Sequence, residues 1–442
     1  MADEPSATDT PFTVSDRQLI PVQGPIQHWI EPWYLSYAVL GALASGLAVI
    51  LIPLVVTSSG RTATQIGAVI AAQNVGALFA PLWGWIADRL RAYRAIFFSG
   101  FALLAFGFLG FTLVHGMGAW LLSAFLVGFG TGASNTVASL FVVEFTAKSE
   151  WSERIGWLQT FNALGAVVGM AVAGLLEPRL GTLLSALLVM PAIMVGGWGL
   201  PVPGGPFHFP RLHLHEADLA HMLRRGGPNA MSVVAHLHRP RRSDVAALGA
   251  AISSAFGTFL VGWFFFSLAI SAFSSLYPVL MTKSFGIAVT TSSLLMSVAT
   301  ALSIPLYNLA GRLSTRHRPG PVLAIGIGGR VVALAGLALV AYTQPSFALV
   351  PVLLIYALFQ GIWPLLGVAA NDLAADLAPF GEGTAMGLFN AAAAIASALG
   401  AVVGGVVADL FGFASVPVFA AVGASIALLC MLSRGVSQAG GR

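Results

Sequence analysis

The chain has 442 residues, of which 57% are hydrophobic and 9% charged, against about 25% charged in ordinary soluble domains. Its 21 Lys and Arg and 17 Asp and Glu are too few to hydrate the surface of a soluble fold of this size, so lipid must cover most of it. The net charge of +4 comes from scattered arginines without a dense basic face, which excludes nucleic-acid binding as a main activity. The single cysteine, Cys430, excludes a disulfide framework and any multi-cysteine metal or Fe–S centre.

A helix that crosses the ~30 Å hydrocarbon core needs about 20 apolar residues. After a polar lead, such runs fall at 34 to 56, 65 to 87, 95 to 115, 119 to 143, 155 to 177 and 181 to 200. They resume at 253 to 282, 289 to 312, 319 to 342, 347 to 374, 384 to 410 and 414 to 433. The expected fold is therefore an all-α membrane protein of twelve transmembrane helices. Its parts are a tail over 1 to 33, a six-helix bundle over 34 to 200, a linker over 201 to 252, a second bundle over 253 to 433 and a tail over 434 to 442. The first run lacks a small-residue cleavage signature, so the N-terminus is expected to stay attached. With both termini inside, seventeen Lys and Arg fall in the inner segments and three, Arg61, Arg179 and Lys283, in the outer ones. That asymmetry predicts cytoplasmic termini in an inner or plasma membrane.

The two halves repeat each other. Gly156, Gly169, Gly174 and Gly181 of span 5 match Gly387, Gly400, Gly405 and Gly412 of span 11 at a constant offset of 231. The charged turn from Gly84 to Arg91 after span 2 matches Gly311 to Arg318 after span 8 at an offset of 227. Duplicated six-span halves are the plan of alternating-access transporters, with the site between the halves near the midplane.

The motif Gly84-Trp-Ile-Ala-Asp88-Arg89-Leu-Arg91-Ala-Tyr-Arg94 resembles the GxLaDRxGRR loop of the major facilitator superfamily, and the resemblance extends from about Tyr34 to Ser433. It implies two pseudo-symmetric six-helix bundles and a cytoplasmic latch, with Gly84 for close packing, Asp88 as the latch carboxylate and Arg89 and Arg94 as cations. The sequence departs from the pattern at Arg91, where the family has glycine, and at Thr315, where a second aspartate would sit. Gly165, Gly169, Ala173 and Gly174 in span 5 resemble a degenerate form of the glycine pattern of the family's drug/proton antiporters, with Met170 in place of proline. The span-4 arginine of many proton-coupled members is replaced by Ala124.

Ionisable groups inside a membrane are costly and so are functional candidates by default. Arg330 lies about eleven residues into span 9. Asp372 and Asp376, one turn apart at the inner end of span 10, are the nearest acidic candidates for it, and with Glu144 these form the set for ion coupling or gating. Uncharged polar residues within the spans, Asn74, Asn135, Gln159, Asn162, Tyr277, Tyr307, Asn308, Gln360 and Asn390, with Trp363 as a stacking surface, are the candidate lining of a substrate cavity. Amides and phenols on an apolar wall suit a neutral or amphiphilic solute. In the linker, His213, His215, His221, His236 and His238 fit either an amphipathic helix on the inner leaflet, with Arg224 and Arg225 toward lipid phosphates, or a metal sensor; no metal and no cofactor is expected. No GxxxxGK[ST] loop occurs, so an ATPase is excluded.

Together these features point to a monomeric, non-enzymatic secondary transporter of a small organic solute, leaning to proton-linked efflux. The alternatives are a uniporter or importer of a sugar-like metabolite, and a non-transporting assembly or receptor protein on the same fold.

Overall fold

The computed structural model describes residues 30–90, 92–146, 150–175, 254–306, 318–343, 349–377 and 382–437. The predicted sixth span, the linker with its histidines, and Tyr307 and Asn308 lie outside the described residues, as does the side chain of Asp88. Every regular element among the described residues is helical. In chain order these are α1 (Tyr34–Ser58), α2 (Ala63–Ala77), α3 (Ala80–Leu90), α4 (Tyr93–Leu113), α5 (Met117–Phe145) and α6 (Trp151–Leu175), then α7 (Ala255–Phe285), α8 (Val289–Ser303), α9 (Pro319–Thr343), α10 (Leu349–Gly361), α11 (Trp363–Asp376), α12 (Glu382–Phe411), α13 (Ser415–Met431) and the short α14 (Arg434–Ser437). Spans 2 and 10 are each broken in two, giving the pairs α2/α3 and α10/α11. Among the described residues nine helices are long and apolar enough to cross a membrane, and α8 and α13 are shorter apolar ones. Eleven of the twelve expected spans are thereby accounted for.

Lipid cannot hydrogen-bond a backbone, so each span satisfies its own amides and the ends carry the punctuation. Thr62 opens α2 with a capping box: its hydroxyl accepts from the Gln65 amide at 3.3 Å and its own amide donates to Gln65 Oε1 at 3.2 Å. At the end of α7, Gly286 takes a left-handed φ of 63°, which releases the chain into the next span at little steric cost. Serine and threonine hydroxyls inside spans turn back to the carbonyl four residues earlier. Thr57 donates to Pro53 O at 2.7 Å in α1, and Thr282 donates to Pro278 O at 3.1 Å in α7. The same proline–threonine device thus sits at equivalent places in the first span of each half.

The repeated glycines explain how the bundles are built. A Cβ at Gly169 would stand 2.1 Å from the Ala42 carbonyl oxygen of α1, and one at Gly400 2.2 Å from the Leu268 carbonyl oxygen of α7. One member of each pair thus seats the fifth span of its half on the first. The next pair acts between halves: Gly174 of α6 presses on Ser293 of α8, and Gly405 of α12 presses on Ala63 and Thr64 of α2, with Cβ positions 2.7 and 2.3 Å from the nearest atom. Small residues permit this approach, and dispersion over the close surfaces replaces the hydrophobic drive that lipid does not provide. The middle of α1, Gly41–Leu47, is π-helical where it lies against α6.

A cavity between the two bundles as the candidate functional site

Short turns at 59–62, 286–288 and 412–414 mark one end of the molecule, the turn face; the start of α1 and the end of α13 mark the other, the termini face. The halves interlock toward the turn face. There the Asp409 carboxylate at the end of α12 accepts from the backbone amides of Ala63 and Thr64, each at 2.8 Å, so an anion from the second half caps a helix N-terminus of the first. In the other contact between the halves, α8 against α6, Ser297 donates to Val167 O at 2.8 Å. Toward the termini face the earlier members of the same glycine repeat, Gly156 and Gly387, have nothing within 4 Å of a Cβ position among the described residues. Here α3 packs on α4 and α5 of its own half.

Between the halves lies a cavity of about 550 Å³. The first half supplies Val49, Pro53, Ile70, Gln73 and Asn74; α7 supplies Trp263, Phe266 and a row of serines at 267, 271, 274 and 275; span 10 supplies Tyr356, Phe359, Gln360 and Trp363. Ser267, Ser271 and Ser275 are spaced four apart, with Ser274 three beyond Ser271, so the row faces roughly one way along α7. Two of them are satisfied within the wall, Ser271 donating to Ser397 O and Ser275 to Ser271 O, each at 2.6 Å. Gln360 reaches Thr300 Oγ1 at 3.4 Å.

Arg330 is the charged member of this lining. Its residue is 1% exposed, and its guanidinium carbon lies 3.6 Å from the centre of the Phe359 ring and 5.4 Å from that of Trp363. At that separation the cation sits on the ring face, where the aromatic quadrupole attracts it. Phe359 is held in turn by Phe273 at 5.1 Å and Tyr356 at 5.8 Å between ring centres. Asp372 and Asp376, the nearest acidic candidates for Arg330 in the sequence, are exposed and are not among the residues that line the cavity.

Of the sequence candidates, the cavity brings together Asn74, Gln360, Trp363 and Arg330. Asn135, Gln159, Asn162, Tyr277 and Asn390 are not among its lining residues. Asn162 donates to Tyr37 O at 3.4 Å, joining α6 to α1, and Tyr277 is buried behind Tyr356, donating to Ser292 O at 3.1 Å. Gln159 and Asn390 are exposed, and Asn135 is half-buried. In the loop motif, Arg89 lies over the Trp85 ring at 5.3 Å, Arg94 is half-buried and Glu144 exposed. A Cβ at Gly84 would meet, among the described residues, the Thr136 methyl at 3.4 Å. Trp263, Tyr356, Phe359 and the serine row were not singled out from the sequence; the serine spacing was the readable signal.

A polytopic helical protein with two interlocked bundles and, between them, a largely apolar cavity set with a few polar side chains is the architecture of a membrane carrier. The chain belongs to the Major Facilitator Superfamily, whose family model matches residues 34–381 and, overlapping them, 259–440. Its fold is similar to that of a variant of the nucleoside transporter NupG, with TM-score 0.71 and 14% identity over 90% of this chain and 98% of that one. It is also similar to a D-xylose-proton symporter, with TM-score 0.60 and 15% identity over 91% of this chain and 96% of that one. In sequence, 107 residues are 30% identical to synaptic vesicle glycoprotein 2C of Rattus norvegicus; the match spans 24% of this chain and 14% of that protein.

Proposed function

We propose that the chain is a secondary transporter that carries a small organic, amphiphilic solute by alternating access. The observation that carries this reading is the pairing of a cavity between the halves with glycine seams that interlock at the turn face and stand open at the termini face. Rocking one bundle on the other would exchange which face is closed. The arginine count supports termini on the cytoplasmic side, and on that reading this state is the inward-facing one. The similar folds carry, by their names, a nucleoside and D-xylose, and the cavity volume is of the order that holds such solutes.

The degenerate span-5 glycine pattern and the apolar cavity wall support export as the direction. Coupling to protons would run through boundary carboxylates such as Asp88, Glu144 and Asp372. A uniporter of a sugar-like metabolite is the second reading, favoured by a cavity without a carboxylate among its described lining residues. Purified chain in liposomes tests both. Flux of a solute with a changing label distance across the halves is expected; no flux and a fixed distance would refute transport. Flux indifferent to a pH gradient and to Asp88→Asn, Glu144→Gln and Asp372→Asn would refute proton coupling and select the uniporter.

A further inference from the structure

We propose that the cavity binds an uncharged solute with a carboxamide head, held between the halves by the Asn74 side chain and the Ser274 and Ser397 hydroxyls, and with a flat apolar body. The inference deepens the transport reading, since it names the solute class of the same cavity.

The first observation is where the halves part. Gly67 of α2 lies so close to the Ala401 carbonyl of α12 that no Cβ fits there. The two helices are antiparallel, since α2 leaves the turn at 59–62 and α12 runs into the turn at 412–414. Asn74 is seven residues beyond Gly67, two turns along the same face of α2, and Ser397 is one turn before Ala401 on the same face of α12. Both positions fall where the crossing opens, and both residues line the cavity. Ser397 O accepts from Ser271 at 2.6 Å, which brings α7 and its cavity-lining Ser274 to the same place. A polar side chain of the first half is thus set against two of the second, just inside the seam between α2 and α12.

The second observation is that these groups are unspent. Asn74, Ser274 and Ser397 are half-buried, and their side chains make no hydrogen bond among the described residues. Gln73, beside Asn74, is in the same condition, and Gln360 spends one amide N–H on Thr300 Oγ1. Each is neutral and can both give and take a hydrogen bond. A carboxamide head does the same, with N–H and C=O side by side. An ionised head would leave water without a counter-charge, which is costly. No carboxylate is among the described lining residues, and Arg330, 1% exposed against the Phe359 and Trp363 rings, has almost no surface to offer.

The third observation is the rest of the wall, which is mostly aliphatic and aromatic, with Phe266, Phe359 and the 40% exposed Trp363 among its rings. Flat apolar surface suits a planar body. A polyol would bury most of its hydroxyls unpaired against this wall, whereas one amide head is satisfied by the small polar cluster.

The test compares probes with a common body on the full-length protein in lipid nanodiscs, by calorimetric titration and thermal shift: 2-naphthamide, its N,N-dimethyl form, 2-naphthoate, 2-naphthylmethylammonium and 2-naphthyl glucoside. The naphthamide is expected to bind saturably, about fivefold tighter than the dimethyl form, which has lost both donors, and about tenfold or more tighter than either ion. The glucoside should bind several-fold more weakly than the naphthamide. Asn74→Leu, or Ser274→Ala with Ser397→Ala, should erase the margin between the naphthamide and its dimethyl form. Asn74→Asp, which puts a carboxylate in the cavity, should turn the preference to the ammonium probe; an Asn74 that only supports packing would not set the ranking of heads. The wild-type ranking needs no variant, so it decides the matter even if these do not fold. Preference for an ion or the glucoside, a margin that survives Asn74→Leu, or no saturable binding of the naphthamide up to about 5 mM overturns the proposal. Amide-selective binding without flux or rocking would overturn the transport reading and leave this one standing; flux of other solutes without amide preference would do the reverse.

Discussion

Asp409 offers the sharpest test of the seam that closes the turn face. Its two oxygens accept the Ala63 and Thr64 amides at 2.8 Å, bridging residues 345 or more apart in the chain. A hydrogen bond to a charged group contributes about 1.5–3 kcal/mol when shielded. Asp409 is exposed, so each is discounted to about 1 kcal/mol for solvent competition. Asp409→Asn keeps one acceptor and loses the charge facing the helix N-terminus, a cost of about 1.5 kcal/mol; Asp409→Ala loses both bonds, about 2.5 kcal/mol. The ratio of turn-face-open to turn-face-closed molecules should then rise about tenfold and about sixtyfold, respectively. The assay is pulsed electron paramagnetic resonance between labels at Ser59 and Lys283, both exposed and on opposite halves, in a Cys430→Ser background. Gln65→Ala is the control, since it removes the acceptor that caps the Thr62 amide at the start of the same helix; it should lower stability and leave the distances alone. Unchanged distance populations in both Asp409 variants would refute the reasoning.

Three further outcomes follow from the packing. Gly165→Val places a Cβ 1.7 Å from the Ala38 carbonyl oxygen and should destabilise by about 3 kcal/mol, seen as a lower melting temperature in detergent. Gly156→Val, on the same helix but with nothing within 4 Å among the described residues, should change the stability of this state by less than about 0.5 kcal/mol, and similar losses for both would contradict the contact geometry. Arg154, whose side chain is 10% exposed, bonds Glu31 and Glu150, tying the start of α1 to the start of α6; Arg154→Ala should cost about 2 kcal/mol and Arg154→Lys part of that, by the same melting measurement.

The spans were legible because hydropathy reports a solvent, and lipid is a solvent that tolerates few exceptions. Arg330, Asn74 and Gln360 were legible for the same reason, as polar groups set in apolar runs. Trp263 and Phe359 were not, because an aromatic side chain among 29 Phe and 10 Trp carries no contrast. The rings around Arg330 were not legible in sequence, because aspartates one turn apart at the end of a neighbouring span are conspicuous, whereas a ring that holds a cation by its face is not. Asp409 was not singled out in the sequence, because its partners are backbone amides, which every residue has and no sequence marks. The glycine repeat disclosed the duplication, and only the coordinates divided its members into those that seat spans within a bundle and those that join the bundles.

The open ground around Gly156 and Gly387 has an asymmetric consequence for control of the cycle. Bulk added there would act as a doorstop: it leaves the present state at ease and blocks only the swing that brings those surfaces together. Bulk added at Gly174 or Gly405 does the reverse, wedging apart a door already shut. The four positions are thus a set of one-sided stops, by which single substitutions could hold the carrier at either end of its travel without touching the cavity where its cargo would sit.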